Sequence, residues 1–378
     1  MLNRKLNILA DENMPQVEAI FSRFGEVTLK NGREFSAEDL SEIDVLLVRS
    51  ITQVNESLLG GSPVQFVGTA TIGTDHIDHK CLQSREIAFS NAPGCNADAV
   101  VEYVLSNLLL IAEHQGFDPK DRTFGIVGVG NVGGRLQKRL QALGYKILLN
   151  DPLREKNEED FVGLNEVLRK ADVICLHTPL TDKGEHPTHH LISGSELARV
   201  KENAIIINAG RGPVIDNAAL LQVGKKRLDL TFVLDVWEHE PLVDAELAER
   251  CAIVTPHIAG YSYDGKVRGT YMLYQALCKH LGEPCEKTLD DFLPVAELAN
   301  VEQGELTPLE LTQKVYDPRI DDYMLRQTLA LPESEKKQAF DQLRKQYRIR
   351  REFASLSVSG ATNPKQLEAI GFKLAAEG

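Results

Sequence analysis

Between Thr123 and His257, six short apolar runs follow one another: "TFGIVGVG", "KILLND", "DVICLHTP", "AIIINAG", "LTFVLDV" and "CAIVTPH". They are apolar throughout rather than alternating, the pattern of strands covered on both faces. Helical patterns separate most of them, among them "VGGRLQKRLQALG", which ends on Gly144 as a C-cap. Strands joined through helices run parallel, because a parallel pair needs a long crossover. The stretch is therefore expected to form a six-stranded, doubly wound α/β sheet.

A second alternating series precedes it. "LNILA", "DVLLVRS", "VQFVGTA" and "IAFSNA" read as strands; "MPQVEAIFSRF", with Asn13 as N-cap, "NESLLGG" and "HIDHKCLQSR" read as helices. After Gly282 the chain opens irregularly. It then becomes helical and charged through "ESEKKQAFDQLRKQYRIRREF", and closes with a strand-like "ASLSVSG" and a helix-like "NPKQLEAIGF". That reads as a small α/β appendix. A chain of 378 residues holds two or three such domains.

Composition excludes several classes. A net charge of −13 argues against a general nucleic-acid binder, since phosphate binding wants clustered cations, and no nucleic-acid partner is expected; a local basic pocket for a small anion is compatible with it. The apolar run Leu6–Ala10 is cut short by Asp11 and Glu12, too early for a signal peptide. The most apolar helical stretch, Ala99–His114, contains Glu102, Ser106 and Asn107 and reads as a buried helix, not a membrane span. Cysteines at 81, 95, 175, 251, 278 and 285 form no CxxC pair, so neither a zinc site nor a disulfide framework is expected, and a reducing cytoplasm is. His186, His189 and His190 lie close together, but no neighbouring carboxylate or cysteine cluster joins them; a loop leading into a helix is expected there, and no metal.

"GIVGVGNVGG" places Gly128, Gly130 and Gly133 in GxGxxG spacing, after an apolar run and at the start of a helical one. In that context the first glycine makes a tight turn, the second lets backbone approach a pyrophosphate, and the third lets helix pack on strand. Asp151 ends the next strand, where a carboxylate can bond the adenosine ribose hydroxyls and repel a 2′-phosphate, which favours NAD over NADP. S-adenosylmethionine sites also use glycine turns and strand-end acids; the six-strand series and the later strand ends argue against one here.

Those later ends carry Arg211 in "NAGRGPVID", Asp235, Glu238 and Glu240 in "LDVWEHEP", and His257 in "TPHIAGYS". In an open parallel sheet, ligands bind outside the carboxyl ends of the strands. Oxidation of a 2-hydroxy acid needs a hold on the carboxylate, a base for the hydroxyl proton and a hydride acceptor. A guanidinium, an imidazole steadied by a glutamate, and a nicotinamide meet those needs.

With "GIVGVGNVG", these segments resemble the motifs of the D-isomer-specific 2-hydroxyacid dehydrogenase superfamily. The resemblance implies a catalytic set of Arg211, Glu240 and His257. It implies a Rossmann-type NAD-binding domain over residues 97–261, and a flavodoxin-like, split substrate (lid) domain over residues 1–96 with a return helix over 262–282. "LADENMP", "VRSITQVNESLL", "FVGTATIGTDHID" and "APGCNADAVVEYV" are similar to one member that carries an extra C-terminal domain. That closer likeness implies a small phosphorylated hydroxy-acid substrate and a homodimer built through residues 286–378. It places substrate contacts on Ser50, Thr71 and Tyr261. It places cofactor contacts on Asn131 and Val132 of the turn, on Asp151, Thr178, Ala209, Gly210, Asp235 and Gly260. Arg49 and the C-terminal arginines, one of them reaching across a dimer, are the candidates for holding the phosphate. A dehydrogenase for another acid such as 3-phosphoglycerate, or an NAD-sensing corepressor-like protein, is the alternative reading.

Overall fold

The computed structural model describes residues 4–155 and 160–375. The chain forms two compact units, one of residues 1–96 and 262–295, the other of 97–261 and 296–378.

The first unit holds a five-stranded parallel sheet of β1 (Leu6–Asp11), β2 (Gly25–Lys30), β3 (Val45–Val48), β4 (Phe66–Thr69) and β5 (Ala88–Asn91). Its order is β2-β1-β3-β4-β5, the flavodoxin-like winding. Apolar clusters cover both faces. Along β1, Ile8 and Ala10 enter one cluster and Leu9 the other, following the two-residue period of a strand. The helix Tyr263–Leu281 packs Val267, Leu273 and Leu277 into the first cluster. Ser262 caps its start by accepting from the Gly265 amide at 2.9 Å, and Gly282 ends it at φ 67°.

Two local expectations fail here. Asn13 does not cap the first helix, which runs only over Val17–Phe21 after Gln16; the Asn13 amide instead donates to Asp11 Oδ1 in a turn. The edge strand β2, "GEVTLK", was not legible, because Glu26, Thr28 and Leu29 face solvent and break any apolar run.

The second unit carries six parallel strands, β6 (Thr123–Val127), β7 (Lys146–Asn150), β8 (Val173–Leu176), β9 (Ile205–Asn208), β10 (Thr231–Leu234) and β11 (Ile253–Val254). They lie in the order β11-β10-β9-β8-β6-β7, and each expected apolar run supplies one. Phe161 adds a single bridge to Leu149 outside β7. The helix Ala97–Gln115 and the helix Asn131–Ala142 share one apolar cluster with the sheet.

Beyond residue 296 the same unit continues with a small parallel sheet of β12 (Asn300–Glu302), β13 (Ser357–Ser359) and β14 (Lys373–Leu374), and with four helices. Leu311, Tyr316, Phe353 and Leu367 are buried in the cluster that holds Val104, Leu108 and Leu140. Leu325 and Phe340 enter the cluster on the other side of the sheet. The sequence pattern sets residues 286–378 apart as an appendix; in the structure residues 296–378 share a core with 97–261.

The long charged helix expected through Phe353 stops at Lys345. Beyond it Arg350 and Phe353 are both buried, Arg350 on an irregular stretch and Phe353 at the start of the short 3-10 turn Phe353–Ser355. Among the described residues no two cysteines form a disulfide, and no helix is long and apolar enough to cross a membrane.

Candidate active site

The glycine turn joins β6 to the helix Asn131–Ala142. Gly128 sits at φ +86°, and a Cβ there would lie 2.8 Å from the Thr178 amide nitrogen. A Cβ on Gly133 would lie 2.0 Å from the Gly128 carbonyl oxygen, so neither position admits a side chain without backbone movement. Gly130 faces open space and no side chain caps the helix, so its first amides are left for an anion. Asn131 is exposed and Val132 half-buried at that start. Asp151 follows β7 and accepts from the Val129 amide at 3.0 Å, so the carboxylate stands beside the turn.

The wall opposite is built at the end of β8 and β9. The Thr178 hydroxyl and both His177 ring nitrogens are buried and lack hydrogen-bond partners. Burial pulls the His177 imidazole down to about 4, so the ring is neutral. Gly210 lies so near β8 that a Cβ would come within 3.0 Å of the Leu176 carbonyl oxygen, and Ala209 is half-buried beside it. An open helix start, an unsatisfied hydroxyl and a wall too close for side chains fit a flat, polar dinucleotide.

Asp235 ends β10 and is buried. Its Oδ1 accepts from the Thr255 hydroxyl at 2.6 Å and the Ile258 amide at 2.8 Å, and its Oδ2 accepts from the Ala259 amide at 3.0 Å. Burial pushes its pKa up, against the pull of His257, Thr255 and these amides. These bonds fix the loop after β11, where His257 stands at φ +56°, its amide donating to the Asp235 carbonyl at 2.7 Å.

His257 Nδ1 lies 2.8 Å from Glu240 Oε2, while Glu240 Oε1 accepts from the Trp237 amide at 2.9 Å. Burial alone would raise the Glu240 pKa; the His257 bond and charge, the Trp237 amide and the charge of Arg344 outweigh it and hold it low. An ionised carboxylate only accepts, so Nδ1 carries the proton and Nε2 is left as the acceptor.

Arg211 is exposed and follows β9, donating to the Gly210 carbonyl at 2.8 Å. Its loop is pressed onto the Glu240 loop: a Cβ on Gly212 would sit 1.9 Å from the Trp237 carbonyl oxygen. Glu238 turns away, bonding His190 Nε2 at 2.5 Å and the Asn217 amide at 3.0 Å. With His189 it forms a group of three metal-capable side chains. The local sequence showed no carboxylate cluster joining these histidines, because Glu238 arrives from a distant strand end; His186 stands outside the group, beside Glu185 at 3.7 Å.

Tyr261 closes the loop after Gly260. Its hydroxyl accepts from Arg344 Nη2 at 3.1 Å, and its ring meets Tyr347 edge-on. The sequence reading named the C-terminal arginines only as a group; this bond singles out Arg344 among them. It comes from the helix Glu333–Lys345 of the same chain, so this contact needs no partner copy. Ser50 and Thr71 lie in the first unit. Ser50 is exposed, and the Thr71 hydroxyl bonds Thr69 Oγ1 and the Gly73 carbonyl, both at 2.8 Å. Arg49 approaches Asp11 at 3.2 Å.

The sheet order, the glycine turn and the strand-end side chains together define an NAD-dependent 2-hydroxyacid dehydrogenase. Residues 110–259 match the family model for the NAD-binding domain of D-isomer specific 2-hydroxyacid dehydrogenases, and residues 292–371 match a domain of unknown function, DUF3410. Similar solved structures include NAD+-bound 3-phosphoglycerate dehydrogenase of Entamoeba histolytica (TM-score 0.59, 24% identity, covering 74% of this chain and 96% of that one). D-lactate dehydrogenase of Aquifex aeolicus is similar too (TM-score 0.53, 22% identity, 73% and 95% covered). At these identities they share the fold. The erythronate-4-phosphate dehydrogenase of Pseudomonas entomophila (strain L48) is 49% identical over 376 residues, 98% of each chain. That of Pseudomonas putida (strain W619) is 51% identical over 357 residues, 93% of this chain and 94% of that one. The chain belongs to the erythronate-4-phosphate dehydrogenase family.

Proposed function

We propose that the chain oxidises the C2 hydroxyl of 4-phospho-D-erythronate, giving (R)-3-hydroxy-2-oxo-4-phosphooxybutanoate, a step toward pyridoxal 5′-phosphate. The single observation that carries the chemistry is the His257 Nδ1–Glu240 Oε2 bond of 2.8 Å, which leaves Nε2 to accept a proton. His257 takes the hydroxyl proton, and Glu240 steadies the imidazolium that results. Arg211 forks the substrate carboxylate and polarises the developing carbonyl. Bound NAD supplies the hydride acceptor. Gly128, Gly130, Asn131, Val132 and Gly133 would hold its pyrophosphate, Asp151 its ribose, and Thr178, Ala209, Gly210 and Gly260 its remaining length. Asp235 serves by holding the loop that carries His257. Tyr261 is assigned to the substrate, as are Ser50 and Thr71 by family resemblance.

The complete Arg–Glu–His set favours catalysis over a purely NAD-sensing, corepressor-like role. Near-full-length likeness to erythronate-4-phosphate dehydrogenases favours the four-carbon acid over 3-phosphoglycerate. A homodimer in the cytoplasm completes the proposal. Ile320, Tyr323 and Met324 are exposed on one face of the helix Pro318–Leu329, a patch suited to a second copy. The test is purified protein with NAD and a panel of 2-hydroxy acids, read at the NADH absorbance. Turnover should be best on 4-phospho-D-erythronate; a preference for 3-phosphoglycerate, or no turnover on any acid, would sink the reading.

A further inference from the structure

We infer that Arg344 reads the distal phosphate of the substrate, forming with Tyr261 an anion subsite beside the His257–Glu240 pair. The inference rests on the proposed reading of that pair as the oxidising centre. Among the arginines of the C-terminal segment, Arg319 pairs with Asp317 at 2.6 Å and Arg326 with Asp322 at 3.0 Å. Arg348 pairs with Asp321, and Arg350 donates to the carbonyls of Ala259 and Ala99. Arg344 instead donates to a neutral phenol, Tyr261, and among the described residues no carboxylate pairs with it; its Nε, like those of Arg49 and Arg350, is buried with no acceptor.

A guanidinium held partly out of water, with donors to spare and no carboxylate of its own, is a receptor for an anion. Its position says which anion. Tyr261 is four residues from His257, and the Arg344 charge is felt at Glu240. The substrate carboxylate is taken by Arg211, on a different loop, so the second cation fits the second anionic group. A phosphate there would also bring negative charge toward Glu240, and the guanidinium compensates it. The ordinary alternative is a cation at the C-terminal turn of the helix Glu333–Lys345, where Arg344 stands. That role explains a solvated side chain, not one whose Nε is buried and whose Nη2 donates to the tyrosine of the catalytic loop.

The experiment compares kcat/KM for D-erythronate 4-phosphate with that for unphosphorylated D-erythronate, in wild type, Arg344→Gln, Arg344→Lys and Arg49→Gln. NAD binding, followed by fluorescence, reports on folding. The ratio of the two acids should fall by about 10² in Arg344→Gln, through KM of the phosphorylated acid, the scale of a lost charge-assisted fork. Arg344→Lys should recover part of it, since an ammonium keeps the charge without the fork. If Arg344→Gln slows both acids equally, Arg344 only positions Tyr261 and the inference is wrong. A ratio that collapses in Arg49→Gln alone would place the subsite at Arg49. If wild type oxidises neither acid, the proposed function fails and the subsite with it. If wild type oxidises both but Arg344→Gln leaves the ratio unmoved, only the inference fails.

Discussion

His257 and Glu240 work as one unit because each fixes the other's protonation. The carboxylate is held below its usual range by the His257 bond and charge, the Trp237 amide and the charge of Arg344. A carboxylate with a depressed pKa stabilises the fold above its unfolded value and loses that contribution as pH falls through the folded one. Two variants separate the roles. His257→Ala should cost roughly 10²–10⁴ in turnover, the range for a positioned acid/base, while NAD binding by fluorescence survives. Near-normal turnover would remove His257 from the chemistry. Glu240→Gln should cost roughly 10–100-fold, and it takes a negative charge from the ring. The loss should fall on kcat, with KM for the hydroxy acid and NAD binding kept, because the charge steadies the imidazolium formed as the proton moves. A loss carried by KM instead would mean that Glu240 only shapes the loop.

At the scale of elements, the site depends on how closely loops pass one another at the carboxyl ends of β8 to β11. Gly212 is the sharpest case, since no side chain fits against the Trp237 carbonyl. Gly212→Ala should cost about 1–3 kcal/mol of stability, as overpacking does, and should spread the Arg211 and Glu240 loops. A lowered melting temperature with a raised KM for the hydroxy acid is the expected result; an unchanged KM would show that the loops are independently held. This tightness also explains what the sequence could reveal. The six apolar runs, the glycine turn and the Arg211, Glu240 and His257 strand ends are local signals, written in consecutive residues. Glu238 meeting His190, Arg344 meeting Tyr261, and the bonds that Asp235 makes across to the β11 loop are contacts between residues far apart in the chain, and no local spacing encodes them. Asn13 failed as a cap for a related reason: its neighbour Asp11 supplies a turn acceptor that competes with helix initiation.

Across the second unit, the C-terminal segment supports the catalytic loop from beneath. Arg350 is fully buried, stacked 3.7 Å above the Tyr316 ring, and donates to the Ala259 carbonyl at 3.1 Å, between His257 and Tyr261. Asp322 accepts from the Val254 amide at 2.8 Å, tying the helix Pro318–Leu329 to β11. Buried Glu102 stands in the same electrostatic group: burial raises its pKa well above the usual carboxylate value, Glu352 adds to the rise, and Arg350 opposes it. Arg350→Met keeps much of the volume and removes the charge. Without that opposing charge, Glu102 holds its proton in the folded state still more tightly than in wild type. A carboxyl whose folded pKa is raised stabilises below its unfolded value and loses that contribution as pH rises through the folded one. The variant's melting temperature should therefore fall more steeply than wild type's as pH rises from the acid side through neutrality, and turnover should drop as the Ala259 carbonyl loses its donor. The shared apolar core predicts one cooperative transition for residues 97–261 and 296–375 together. Calorimetry that resolved a separate, earlier transition for the C-terminal segment, with turnover intact after it, would show that the catalytic loop stands without this support.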